Sequence, residues 1–126
     1  MERIKIEGTE KLPAILFDGT NGILKITGKS IPENTKEFYK DVIKGVDQYM
    51  KDPLELLEIT IHLEFFNTST ARELLALFRK LEEVKCNCIV KWIYEEGDED
   101  MLEAGEDYES MVRGVKFELI EIPEDL

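Results

Sequence analysis

Between Leu56 and Leu81 the hydrophobic period changes from two to about three and a half without an intervening loop, and few folds accommodate that. In "LLEITIHLEFF" Leu57, Ile59, Ile61, Leu63 and Phe65 recur at alternate positions, the pattern of a strand with one face buried. Directly afterwards Ala71, Leu74, Leu75, Phe78 and Leu81 recur at intervals of three and four, with Leu77 and Val84 on the flank, the pattern of an amphipathic helix. Helix-length connections of this kind return the chain to a parallel neighbouring strand through a right-handed crossover.

The remaining segments extend the alternation. "RIKIEG", "AILFD" and "ILKITG" read as strands, and Asp18-Gly19-Thr20-Asn21-Gly22 joins the last two as an antiparallel hairpin. After Pro32, Phe38, Tyr39, Val42, Ile43, Val46, Tyr49 and Met50 predict a helix, with Asn34 and Glu37 as its capping box. "CIVKWIY" predicts a strand, "DEDMLEAGEDYESMV" a third helix with Met101, Ala104, Tyr108, Met111 and Val112 on one side, and "VKFELIEI" a last strand. The expected order is β-β-β-α-β-α-β-α-β. This is an α/β chain, a single domain over residues 1–126, with a mixed β-sheet, an N-terminal antiparallel hairpin and three helices. At 126 residues it can bury most of its apolar surface in one core.

A net charge of −12 disfavours nucleic acid and anionic membranes, both of which reward basic residues, and favours docking to other proteins. The opening residues lack the apolar core of a signal peptide, and no run approaches a membrane span, so a cytoplasmic location is expected. Cys86 and Cys88, one residue apart, read as reduced thiols. Neither they nor the single histidine, His62, supply a zinc ligand set, and His62 reads as structural. The recurrent nucleotide-binding and hydrolytic motifs are absent, so no cofactor, no metal and no catalysis are expected.

Two regions carry competing readings. From Glu95 to Glu109 nine carboxylates occur without one basic residue. They are the solvated start of the third helix, a docking face for a basic partner, or the working surface of a small carboxylate-rich enzyme or divalent-metal-binding protein. In "EFFNTSTAREL" three hydroxyls precede the second helix. Thr70 with Glu73 has the form of a capping box and Asn67 that of an Asx turn, which leaves Thr68 and Ser69 either as turn filling or as a regulated hydroxyl. An added phosphate is tolerated at such a helix start.

Three stretches together, "GKSIPENTKEFY", "ITIHLEFFNTST" and "WIYEEGDEDMLEAGEDYE", resemble the SiaC family of bacterial regulatory phosphoproteins. The most specific parts are Pro32-Glu33-Asn34, Asn67-Thr68-Ser69 and the segment from Glu99 to Asp107. The resemblance implies a fold like that of anti-sigma factor antagonist (STAS) domains and a phosphoacceptor at Thr68, with Ser69 as its rival. It also implies a partner kinase, a PP2C-type phosphatase, and an effector activated by the unphosphorylated form. That effector is a diguanylate cyclase in the family, making cyclic di-GMP, a signal in biofilm regulation; an anti-sigma factor antagonist-type partner switch is the alternative. Partner contacts are expected around Asn67, Ser69, Thr70 and Arg72, and docking at Pro32, Glu33, Asn34, Asp98, Asp100 and Glu103. The family motif often continues with a second serine where this chain has Thr70.

Overall fold

The computed structural model describes residues 3–85 and 87–124. Its strands are β1 (Arg3–Ile6), β2 (Ala14–Asp18), β3 (Ile23–Ser30), β4 (Leu57–Phe66), β5 (Cys88–Glu95) and β6 (Lys116–Ile122). Its helices are α1 (Thr35–Tyr49), α2 (Thr68–Glu83) and α3 (Glu99–Met111). The six strands form one sheet in chain order, with β1, β2 and β3 antiparallel and β3 to β6 parallel. The mixed sheet is thus as expected, with β1 extending the hairpin to a three-stranded meander. Cys86 lies outside the described residues, and Cys88 opens β5 as a buried side chain.

The hairpin turn is built by its own side chains. Asp18 Oδ1 accepts the amides of Thr20 and Asn21 at 3.1 and 3.2 Å, and the Asn21 amide group donates to Asp18 Oδ2 at 2.8 Å. Gly22 follows at φ 67°, where a Cβ would stand 2.5 Å from the Leu56 carbonyl oxygen. Only glycine lets the turn lie against the start of β4.

Each of the three crossovers advances by one strand in the same direction, so all three helices cover one face of the sheet. That face carries Phe17, Leu24, Ile26, Leu57, Ile59, Ile61, Val90, Trp92 and Phe117, packed against Tyr39, Val42, Val46, Leu74, Leu77, Phe78, Leu81 and Tyr108. A fully buried side chain of this size contributes about 1.5–3 kcal/mol. The opposite face bears the alternate residues. There Lys5, Leu16, Lys25, Thr60, Lys91 and Glu118 form a row across all six strands, and Lys91 pairs with Glu58 at 2.8 Å. His62, opposite Thr27, shares this face.

Two expectations need correction. Phe65 does not continue the buried face of β4: it is 55% exposed, and Phe66 turns inward instead, its ring 6.0 Å from that of Trp92. The cause is a register shift, in which Gly28 pairs with Leu63 and Lys29 with Phe65, so that Glu64 is an extra residue and the alternation inverts. Met111, expected on the apolar side of its helix, and Val84, expected on the flank of one, are also exposed. Each stands at or just beyond the end of its helix, where the sheet no longer covers it.

Helix α3 reaches the sheet at Gly105, where a Cβ would fall 2.5 Å from Trp92 Cδ1 and 2.8 Å from Leu119 Cδ2. Gly105→Ala therefore has to push α3 off the sheet, with an expected loss of about 1–3 kcal/mol. Urea unfolding followed by the fluorescence of Trp92 measures this, and an unchanged midpoint would show that the contact relaxes at no cost.

Candidate functional site

The strand-to-helix junction after β4 is fixed by its asparagine. Asn67 is extended, its amide donates to the Ser30 carbonyl at 3.1 Å, and its Oδ1 accepts the Thr70 amide at 2.8 Å. Asn67 is therefore the N-cap of α2, and Thr68, Ser69 and Thr70 are its first three residues. The capping box expected between Thr70 and Glu73 is not the cap. Asn67 already leaves the sheet in cap geometry three residues earlier, and asparagine is the stronger capping residue.

Thr70 turns down into the protein and is fully buried. Its hydroxyl donates to the Ser30 carbonyl at 3.0 Å, which commits its one proton. Ser30 Oγ then donates to Thr70 Oγ1 at 2.9 Å, and the Tyr39 hydroxyl donates to Ser30 Oγ at 2.6 Å. This chain joins β3, α1 and α2, and burial raises the Tyr39 pKa above its ordinary value. Thr70 thus supports the junction from beneath and is not part of the partner-facing surface on which it was expected.

Thr68 and Ser69 are exposed. Thr68 stands at the end of an apolar groove of about 290 Å³ between α2 and α3. One wall is Thr68, Ala71, Arg72 and Leu75, the other Ala104, Asp107, Tyr108 and Met111, with Phe66 at the end. Each wall follows the i, i+3, i+4, i+7 spacing of one helix face. The Tyr108 hydroxyl donates to the Ala71 carbonyl at 2.9 Å, and its ring packs on Phe78 at 5.1 Å. Burial drives the Tyr108 pKa well above the tyrosine range. Farther down, Arg79 donates to the Met111 carbonyl at 3.0 Å and Glu82 accepts the Gly114 amide at 2.8 Å, so the two walls are tied together.

Arg72 also borders a second hollow of about 230 Å³ with Glu33, Asn34, Thr35, Lys36, Ser69 and Glu73. Glu33 in turn borders a third, of about 570 Å³, with Pro32 and the loop from Thr9 to Leu12. The fold thus brings Glu33 and Asn34 beside Ser69 and Arg72, although Pro32 is buried and Asn34 caps α1 by accepting the Glu37 amide. Asp98 likewise caps α3, accepting the Met101 amide at 3.1 Å, and Asp100 lies in the first turn. Asp98, Asp100 and Glu103 do not line the groove, which meets α3 one turn later. Among the described residues no three His, Cys, Asp or Glu side chains gather in a metal-binding arrangement, and no helix is long and apolar enough to cross a membrane.

Ser30 and the groove residues Leu75 and Tyr108 had no functional reading of their own in the sequence, and Asp107 had one only as part of the acidic run from Glu95 to Glu109. A signal existed for Ser30, whose position in β3 is in phase with the buried Leu24 and Ile26.

An exposed hydroxyl beside a groove, with a buried hydroxyl supporting it, sits here on the fold of the regulatory phosphoproteins. The chain belongs to the SiaC family: the profile described as SiaC family regulatory phosphoprotein matches residues 6–122. An uncharacterised protein of Pseudomonas aeruginosa (strain UCBPP-PA14) is 31% identical over 111 residues, covering 86% of this chain and 88% of its own. The crystal structure of apo-SiaC from Pseudomonas aeruginosa superposes with a TM-score of 0.86 at 28% identity, covering 95% of this chain and 99% of that one. SiaC in complex with the diguanylate cyclase SiaD, which it activates, gives a TM-score of 0.88 at 28% identity, with coverages of 94% and 99%.

The division between hydroxyls predicts unequal mutants. Thr70→Val, which leaves Ser30 partly unsatisfied in the interior, is expected to cost about 1–3 kcal/mol. Thr68→Ala is expected to stay within about 0.5 kcal/mol; equal losses in denaturant titrations would refute the assignment. A second expectation concerns alkali. Tyr39 and Tyr108 have raised folded-state pKa values, so their contribution is complete below the unfolded value near 10 and is lost as pH rises through the raised ones. Stability measured from pH 8 to about 12 should decline above about 10, and less steeply in Tyr39→Phe.

Proposed function

We infer that this protein is a non-enzymatic cytoplasmic switch whose surface around Thr68 meets a kinase, a PP2C-type phosphatase and an effector in turn. In this reading the kinase phosphorylates Thr68, the phosphatase removes the phosphate, and the unphosphorylated form binds and activates the effector. The observation that carries it is the placement of Thr68, exposed at the end of an apolar groove while its neighbour Thr70 is locked beneath.

The groove suits a protein partner. Its walls are mostly apolar, and Met111 and Leu75 offer adaptable contact area of the kind seen at docking surfaces. Glu33 on one side, with Asp100 and Glu103 on the exposed face of α3, would attract basic residues of a partner. A phosphate at Thr68 brings about −1.5 to −2 charges to the edge of that groove. Docking that buries this edge would then leave a charge unpaired or desolvated, which costs several kcal/mol. The effector favoured is a diguanylate cyclase, because the family includes SiaC of Pseudomonas aeruginosa, whose complex with SiaD superposes on this chain.

The test is reconstitution with a diguanylate cyclase from the same organism. Unmodified protein is expected to bind the cyclase and raise cyclic di-GMP formation, and protein phosphorylated at Thr68 to lose at least tenfold in affinity, about 1.4 kcal/mol. Thr68→Ala should activate and resist the kinase. Phosphate mapped by mass spectrometry to another residue, or equal activation by both forms, would sink the reading.

A further inference from the structure

The two exposed hydroxyls at the head of α2 have different fourth neighbours. Thr68 is followed by Arg72 and Ser69 by Glu73. Residues four apart share a helix face and side chains lean towards the N-terminus, so each fourth neighbour leans back over its own hydroxyl. Arg72 and Thr68 line the same groove. The ion pairs among the described residues are Arg79–Glu82, Lys80–Asp47 and Lys91–Glu58, so the exposed Arg72 guanidinium is uncommitted.

Resting on the reading of Thr68 as the acceptor, we propose that Arg72 binds a phosphate on Thr68 in preference to one on Ser69. The guanidinium presents a planar fork of N–H donors that matches two phosphate oxygens. An anion placed four residues before a cation is also the favourable order along a helix. From α3, Asp107 faces the groove and opposes the phosphate, while the Tyr108 hydroxyl is committed to the Ala71 carbonyl. Arg72 offsets Asp107. At Ser69 the surroundings differ: Glu33 and Glu73 share its hollow with Lys36 and the same Arg72, and its fourth neighbour is a carboxylate.

A consequence follows for gating. Among the described residues that line the groove, Arg72 is the one cation and Asp107 the one anion. With phosphate on Thr68 the edge passes from balanced to about −1.5 to −2, and its cation is occupied. The partner is refused by charge at the groove, with no movement of the fold.

The experiment uses full-length protein carrying phosphothreonine incorporated at position 68 during translation, and a counterpart with phosphoserine at 69. The second ionisation of each phosphate is followed by phosphorus NMR. Its midpoint for phosphothreonine 68, near 6 in the absence of neighbours, is expected to rise by roughly 0.2 to 0.5 pH when Arg72→Gln is introduced. Arg72→Lys should recover part of the difference, and about 1 M salt should erase it; a purely structural role of Arg72 would follow neither pattern. The phosphoserine at 69 should respond less. Equal midpoints for phosphothreonine 68 with and without Arg72, or a larger response at 69, would overturn the proposal. Because the phosphate is incorporated directly, this outcome is separate from kinase mapping, which tests whether Thr68 is the natural acceptor.

Discussion

The junction of three elements rests on one buried chain of hydroxyls. Tyr39 of α1, Ser30 at the end of β3 and Thr70 of α2 are linked at 2.6 and 2.9 Å, and the chain ends on the Ser30 carbonyl. Buried polar groups of this kind are costly when one partner is missing and harmless when all are satisfied, so the three behave as a unit. No buried side-chain nitrogen or oxygen is left without a partner among the described residues. The rotational setting of α2 follows from this unit. With Thr70 held downward and Asn67 held to the same carbonyl, Thr68 can only face outward.

Sheet topology places that junction where a second helix can reach it. Four strands in parallel, β3 to β6, send the starts of α1, α2 and α3 to the same edge, and each start is capped by Asn34, Asn67 or Asp98. Ligand sites of open α/β sheets gather outside this edge of the strands. Here the edge holds a surface groove. Gly105 lets α3 settle on Trp92, and the tie from Tyr108 to Ala71 fixes the separation of the two walls.

Much of this was legible in the sequence because hydrophobic period is a local property, and all nine elements and the antiparallel hairpin follow from it. What was not legible depends on pairing between distant segments. The bulge at Glu64 exists only in the register of β3 against β4, so alternation alone assigned Phe65 to the core and missed Phe66. Thr70 satisfied a local capping pattern, but Ser30, thirty-seven residues before Asn67 and forty before Thr70 in the sequence, is bonded to both and decided otherwise. The groove is likewise a product of two helices, and neither of its walls is unusual alone. Thr68 was left over in the sequence because Thr70 was taken as the cap; it is exposed, but Thr70 is committed by burial and not by capping.

The separation of the two threonines bears on how a small switch can be modified without being destabilised. A phosphate at Thr70 would have to be accommodated in the buried space beside Ser30 and Tyr39, and burying such a charge costs several kcal/mol. That is comparable to the whole stability of a domain, about 5–15 kcal/mol. The same group at Thr68 remains in water and costs the fold little, yet it stands at the groove edge, which a partner docking there would have to dry. A penalty of about 3 kcal/mol there changes binding by roughly a hundredfold. Modification at Thr68 would therefore be felt almost entirely in a complex formed at the groove, while the hydroxyl two residues later holds the junction in place.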